Sequence, residues 1–308
     1  MLNAKLPRIS IVTPNYNYAR FIGAAMESVL SQNYPDLEYI VLDDGSTDDS
    51  VETIRRYETR LSHWETGPNR GQYRTITSGF TRATGEILGW LNSDDMHLPW
   101  TLRAVGDIFA TFPDVHWISS LRQAHWDWDG YCVVVSANRG LSREAFLDGR
   151  YLPPDADDPR GVPAENREFI QQESTFWRRS LWEKAGGYVS HEFGAAGDFE
   201  LFARFCRQAS PVGVDVPLAG FRHQQHQQSA QREKYASLCM PAIEQLRREM
   251  EWRPSPQRTF AHRTRSLLRG EAVADFVFRP FGYTSERIMR RQIDRAEAHW
   301  ALQEYRFI

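Results

Sequence analysis

Three short apolar runs in the first hundred residues, Ile9 to Thr13, Tyr39 to Leu42 and Ile87 to Leu91, each break off into polar residues at the C-terminal end. The polar clusters are Thr13-Pro14-Asn15-Tyr16-Asn17, Asp43-Asp44-Gly45-Ser46 and Asn92-Ser93-Asp94-Asp95. Amphipathic stretches lie at Phe21 to Ser31, Ser50 to Tyr57 and Gln72 to Ala83. Strands alternating with helices predict an α/β fold with a mostly parallel sheet covered on both faces. In such sheets the ligand crevice lies outside the carboxyl ends of the strands. Three polar clusters distant in sequence are therefore expected to meet at one rim.

From Leu98 to Arg222 the pattern is mixed: a helix near Trp100 to Phe112, strands near Val115 to Ser119 and Tyr131 to Ser136, and a Pro/Asp-rich loop at Leu152 to Pro163. This stretch reads as the acceptor half of a first domain spanning residues 1–229. Beyond it, helices are expected near Gln231 to Arg248, Pro256 to Leu268 and Ser285 to Gln303, a C-terminal helical extension over 230–308. A chain of 308 residues, 41% apolar, is long enough for both.

The net charge of −3 gives no reason to expect nucleic acid. Cys132, Cys206 and Cys239 are too scattered for a disulfide framework or a close-spaced metal knuckle, which fits a reducing cytoplasm. The start lacks a charged-then-apolar signal segment, and no stretch is apolar enough to span a bilayer. The expectation is a soluble protein, or one peripheral at the inner membrane face.

Carboxylates at a sheet rim repel a diphosphate unless a hard divalent cation sits between them, and oxygen ligands suit Mg2+ or Mn2+. Asp95 is the expected metal ligand. Ionised carboxylates only accept hydrogen bonds, so they suit the N–H of a base and the hydroxyls of a ribose; Asp44 is assigned to the base and Asp94 to the ribose. Each cluster alone reads equally as a turn or helix cap, with Asp48 a candidate N-cap. The first strand is not followed by a G-x-G-x-x-G run, which argues against a dinucleotide-dependent dehydrogenase. A nucleotidyltransferase would need a basic glycine-rich loop at the same place, and none is present.

These segments, together with Ser28-Val29-Leu30-Ser31-Gln32 and Asp43-Asp44-Gly45-Ser46-Thr47-Asp48, resemble in order and spacing the family 2 glycosyltransferases of GT-A fold, from about Arg8 to Ser229. The resemblance implies transfer of a sugar from a nucleoside-diphosphate sugar, with a leaning toward UDP, to a glycan, lipid-linked or other hydroxyl acceptor. It places Thr13, Pro14, Tyr16, Asp44, Arg70, Asn92, Ser93 and Asp94 at the nucleotide, with Asn92 standing where the family's aspartate-x-aspartate element has its first aspartate. It also implies a base for an inverting displacement at Asp198, in Gly197-Asp198-Phe199-Glu200-Leu201. A helix start favours an ionised carboxylate there, and an ordinary cap is the competing role; Glu200 is the alternative base. Glu173, in Gln171-Gln172-Glu173-Ser174, falls on the acceptor or donor-sugar side, and Arg222 and His223 fall where the family places groups near the diphosphate. His223 and His226 are equally open to being surface residues.

Trp126 and Trp128 alternate with Asp127 and Asp129, so as strand residues both indoles would share a face suited to stacking on a sugar ring; core packing or a hairpin pair competes with that role. Arginines recur from Arg263 to Arg295 with Phe276, Phe278 and Phe281 between them. That mix suits an anionic lipid surface, a solvated helical face or a homodimer contact. The rival overall reading is a degenerate transferase acting as a carbohydrate-binding or partner-binding module.

Overall fold

The first strand, β1 (Ile9–Asn15), is buried along its whole length, as a strand covered on both faces must be. In the computed structural model, which describes residues 5–158, 162, 167–224, 232–264, 271–293 and 297–308, the chain continues through α1 (Ala19–Leu30), β2 (Leu37–Asp43), α2 (Ser50–Arg55), β3 (His63–Thr66), α3 (Gln72–Arg82) and β4 (Ile87–Trp90). β1 pairs in parallel with β2 on one side and β4 on the other, and β2 pairs in parallel with β3. The register sets Asn15 beside Asp43. The strand order reverses at β1, so the carboxyl ends of β1, β2 and β4 flank a topological switch point.

Next come β5 (Met96–His97), α4 (Thr101–Thr111), β6 (Trp117–Ser120), β7 (Arg122–Trp126), β8 (Cys132–Ala137), α5 (Arg143–Leu147), β9 (Thr175–Arg178), α6 (Arg179–Lys184), α7 (Gly197–Gln208), β10 (Val212–Val214) and β11 (Ala219–Arg222). β9 lies antiparallel between β4 and β6, while β10 runs parallel to β6. A second sheet, in the order β5-β11-β7-β8, forms beside the first.

Side chains alternate between the two faces of a strand. Val12, Leu42 and Trp90 pack with Ile76 and Phe80 of α3 and with Phe205 of α7. Ile9, Ile11 and Val41 pack with Ile22 and Met26 of α1 and with Ile108 of α4. A Cβ on Gly79 would stand 2.5 Å from Val12 Cγ1, so glycine sets how closely α3 lies on β1.

The C-terminal part comprises α8 (Arg232–Glu249), α9 (Pro256–Thr264), α10 (Glu271–Phe278), β12 (Tyr283–Ile293) and β13 (Glu297–Phe307). Two of the three expected helices are α8 and α9; Gln231 and residues 265–268 of those expected spans lie outside the described residues, as does the expected 229/230 boundary. The helix expected over Ser285 to Gln303 is corrected to an antiparallel hairpin, paired from Tyr283 with Phe307 to Ile293 with Glu297. Arg287 lies 4.7 Å over the Tyr305 ring and Arg290 5.1 Å over Trp300. Of the arginines that read as a solvated helical face, Arg287 and Arg290 instead place their guanidinium groups over aromatic rings of the facing strand. β12 joins β10, giving a nine-stranded sheet in the order β13-β12-β10-β6-β9-β4-β1-β2-β3.

Candidate functional site

The end of β1 and the turn after β2 are bound to one another. Asn15 Nδ2 donates to Asp43 Oδ1 at 2.8 Å, Thr66 Oγ1 donates to Asp43 Oδ2 at 2.7 Å, and the Ser46 amide donates to Asp43 at 3.0 Å. Burial pushes the Asp43 carboxyl up, but the donors from Ser46, Thr66 and Asn15 win and hold it below the usual carboxylate range. Both oxygens of Asp44 accept backbone amides, from Arg70 and Gly71 at 2.8 Å each. Asp44 therefore fixes the loop that starts α3, where Gly71 takes φ +90°, a conformation that favours glycine. Each carboxylate oxygen has two acceptor directions, so Asp44 retains capacity for a base N–H. The Arg70 side chain is half exposed, 4.0 Å from Glu65.

Thr13 and Pro14 are buried, with the Thr13 hydroxyl paired to the Tyr39 hydroxyl at 3.0 Å, whereas Tyr16 is exposed at the rim. Asp48 does not occupy the N-cap of α2, which is Asp49, yet its carboxylate accepts the amides of Ser50 and of Ala19, tying the starts of α2 and α1 together.

After β4, Asn92 receives a hydrogen bond from Gln72 Nε2 at 2.9 Å and donates to Asp95 Oδ2 and Gln172 Oε1 at 3.3 Å each. Its amide gives Asp95 a donor where an aspartate would have added another negative charge. Ser93 is buried beside it. Asp95 is 1% exposed and accepts the Arg222 amide at 2.9 Å. Asp94 accepts Gln224 Nε2 at 2.8 Å, and the same amide nitrogen lies 2.8 Å from the Tyr18 hydroxyl. β11 thus arrives from the second sheet to hold both aspartates.

Glu173, in the single 3-10 turn Gln172–Ser174, is 2% exposed, and its Oε1 has no hydrogen-bond partner among the described residues. Burial, with the charges of Asp94 and Asp198, pushes its carboxyl up to about 8. Burial together with Asp94 and Glu173 drives Asp95 well above the ordinary range. Asp198 is the second residue of α7, half-buried, accepting its neighbour Phe199's amide at 2.8 Å and facing the Tyr235 hydroxyl at 3.5 Å; burial raises it to about 6. Glu173 thus stands within electrostatic range of Asp94, Asp95 and Asp198. Glu200 is ion-paired to Arg204 at 2.7 Å, which leaves Asp198 as the base candidate of that segment.

The second sheet contributes differently. The guanidinium of Arg222 donates to the carbonyls of Asp94 at 2.6 Å and Trp128 at 3.0 Å, stapling the turn after β7 to the aspartate loop. His223 stacks on His125, with Nε2 and Nδ1 3.2 Å apart. The expected alternation of Trp126 and Trp128 along one strand is corrected: β7 stops at Trp126, which is buried against Gly220, while Trp128 stands in the following turn, edge-on to Phe21 and under Arg20. His226 lies outside the described residues. Sequence reasoning missed Tyr18, Gln72, Gln172, Gln224 and Tyr235, all of which touch the acidic residues or their partners. Gln72 and Gln172 fall inside the segments Asn69-Arg70-Gly71-Gln72 and Gln171-Gln172-Glu173-Ser174 without a role of their own there, and no motif marks Tyr18, Gln224 and Tyr235, which reach the site from separate elements.

A divalent cation fits this rim on the chemistry of its donors: all are hard oxygens, the carboxyl of Asp94 is raised by burial and those of Asp95 and Glu173 by burial and neighbouring carboxylates, and one buried oxygen of Glu173 has no partner among the described residues. Among the described residues no three His, Cys, Asp or Glu side chains form a ready-made cage. Mg2+ is commonly held through one or two carboxylates with water and substrate phosphates.

The fold is of GT-A type, and solved structures share it. Staphylococcus aureus TarS 1–349 in complex with UDP-GlcNAc aligns over 89% of this chain and 71% of its own at TM-score 0.56 and 16% identity. The mannosyltransferase PcManGT from Pyrobaculum calidifontis, in complex with GDP-Man and Mn2+, aligns over 82% and 66% at TM-score 0.54 and 17% identity. Residues 10–116 match the family described as glycosyl transferase family 2. An uncharacterized glycosyltransferase of Nostoc is 37% identical over 108 residues, 34% of this chain and 33% of its own length. One from Mycobacterium tuberculosis is 28% identical over 223 residues, 70% of this chain and 75% of its own. The chain thus spans about a third of the Nostoc relative.

Proposed function

We propose that the chain transfers a glycosyl group from a nucleoside-diphosphate sugar, UDP-linked by preference, to a hydroxyl of a glycan or lipid-linked acceptor, with inversion at the anomeric carbon, in polysaccharide or glycoconjugate synthesis. The supporting observation is the crowding of Asp94, Asp95, Glu173 and Asp198 from three separate segments at one end of the sheet, with their carboxyls raised. Such an arrangement costs stability in the free protein and suits a cationic or hydroxyl-rich ligand. The bound donors of the two fold relatives, UDP-GlcNAc and GDP-Man, support the substrate class, and the Mn2+ of the second supports a metal.

In this reading Asp44 accepts from the base, Asp94 from the ribose, and Thr13, Pro14, Tyr16, Arg70, Asn92 and Ser93 frame the nucleotide. Asp95 would hold Mn2+ or Mg2+, which would supply charge neutralisation at the departing diphosphate. Asp198 Oδ takes the acceptor's proton as the acceptor oxygen bonds to the anomeric carbon, and the electron pair of the breaking bond leaves with the nucleoside diphosphate. Glu173 contacts the donor sugar or acceptor, Trp126 and Trp128 border the sugar side, and Arg222 and His223 flank the diphosphate end.

No helix among the described residues is long and apolar enough to cross a membrane, and the three cysteines are free; we place the protein in the cytoplasm, where sugar nucleotides are made. A thermal-shift panel of nucleoside diphosphates and their sugars, with and without Mn2+, tests the reading, since a ligand bound by the native state alone raises the melting temperature. A UDP or GDP ligand is expected to raise it only with metal, and Asp95→Ala to abolish the rise. A flat response to every nucleotide, or a rise unchanged in Asp95→Ala, overturns the assignment.

A further inference from the structure

We infer that α10 and the turn after it form a docking face for an anionic lipid bilayer. Ala274 and Phe278, four residues apart, are the buried side of α10, and Phe278 meets Ala261 of α9 and Ile308 in a small apolar cluster. Val273, Phe276 and Val277 occupy the opposite side at the spacing of one helical face, and they are 53%, 83% and 46% exposed. Phe281, in the 3-10 turn that follows, is 45% exposed. Single exposed apolar residues are ordinary, but clustered ones mark surfaces that something else covers.

Charge selects the occupant. Arg279 and Arg306 flank Phe281: Arg279 Nε donates to the Arg306 carbonyl at 3.2 Å, and Arg306 donates to the Pro280 carbonyl at 2.8 Å. Both side chains are exposed and bond neutral oxygens, so these contacts leave their charges uncancelled. Residues 253–308 carry eleven arginines, no lysine and six acidic residues, a formal +5 in a chain whose total is −3. A second copy docked symmetrically on this face would bring like arginines together, because a two-fold interface pairs a patch with itself. An anionic bilayer instead receives the rings at its headgroup boundary while the guanidinium groups meet lipid phosphates.

The test is sedimentation of the full chain with vesicles of phosphatidylcholine alone or mixed with phosphatidylglycerol. Binding is expected to the mixed vesicles at low salt, to weaken as salt rises, and to be far lower on phosphatidylcholine. Phe276→Glu combined with Phe281→Glu is expected to lower the vesicle partition coefficient by roughly tenfold or more, with the circular-dichroism melt unchanged because both rings are exposed. Should that variant unfold, Arg279→Gln with Arg306→Gln carries the same test and is expected to remove the salt-sensitive part. Failure of the wild-type chain to sediment with the mixed vesicles overturns the proposal, as does wild-type binding by a folded variant. A concentration-dependent dimer abolished by the phenylalanine substitutions would assign the face to a second copy instead. None of these results depends on sugar-nucleotide binding, so this inference and the proposed activity stand or fall separately.

Discussion

The turn after β2 and the rim formed by the β4 loop, Glu173 and the start of α7 are both acidic, yet they treat their carboxylates in opposite ways. Asp43 is saturated by donors from its own chain and held below the ordinary range; the buried Asp95 and Glu173 and the half-buried Asp198 have fewer donors than they can use and are pushed above it. The difference separates scaffold from site. A carboxylate whose acceptor capacity is filled by the protein stabilises a loop, whereas one left short of donors is stabilised by what binds there.

The largest effect that sharpens this contrast is on rate. Asp198→Asn is expected to lower the transfer rate by about 10²–10⁴-fold, the range for loss of a general base, while nucleotide affinity measured by calorimetry stays within error. The same variant should melt higher than wild type at pH 7 to 8. A carboxyl raised to about 6 in the folded state favours folding most at low pH, and that contribution is lost as pH rises through 6; the neutral amide escapes the loss. A lower melting temperature would move Asp198 into the scaffold class.

Asp43→Ala should do the reverse, costing about 1–3 kcal/mol of stability because the buried Asn15 amide and the less buried Ser46 and Thr66 donors lose their acceptor, as read from the urea midpoint. A change under about 0.5 kcal/mol, the level of an ordinary surface substitution, would break the comparison. With wild-type protein, transfer should fall as pH drops through about 6, where the base is protonated. A rate independent of pH from 5 to 8 would exclude that group as the base. The smallest effect belongs to Tyr235→Phe. Its hydroxyl lowers the Asp198 pKa, so removing it should move the acidic limb upward and reduce the rate at pH 7 by less than roughly tenfold. An unmoved limb would make Tyr235 a packing residue only.

How far the sequence could be read follows the same physics. β1, β2 and β4 are legible because strands buried on both faces must be apolar throughout, and the polar breaks after them mark the rim. The hairpin of β12 and β13 is not, because Arg287 and Arg290 lie over rings of the facing strand and disguise a period of two as a charged helix. Asp198 is put forward by the family resemblance together with its place near a helix start, whereas nothing in the sequence points to Tyr235, whose position depends on α8 folding back across α7. Likewise Asp44 could be placed at the rim, while its grip on the Arg70 and Gly71 amides appears only when the loop is seen.

Because β12 and β13 follow the other strands of the described residues, the flank of β10 that they cover lacks these partners while a ribosome is still making them. An open sheet flank invites pairing with another nascent chain. The short span of β10, three residues, keeps that invitation brief until the arginine-rich ribbon emerges and closes it.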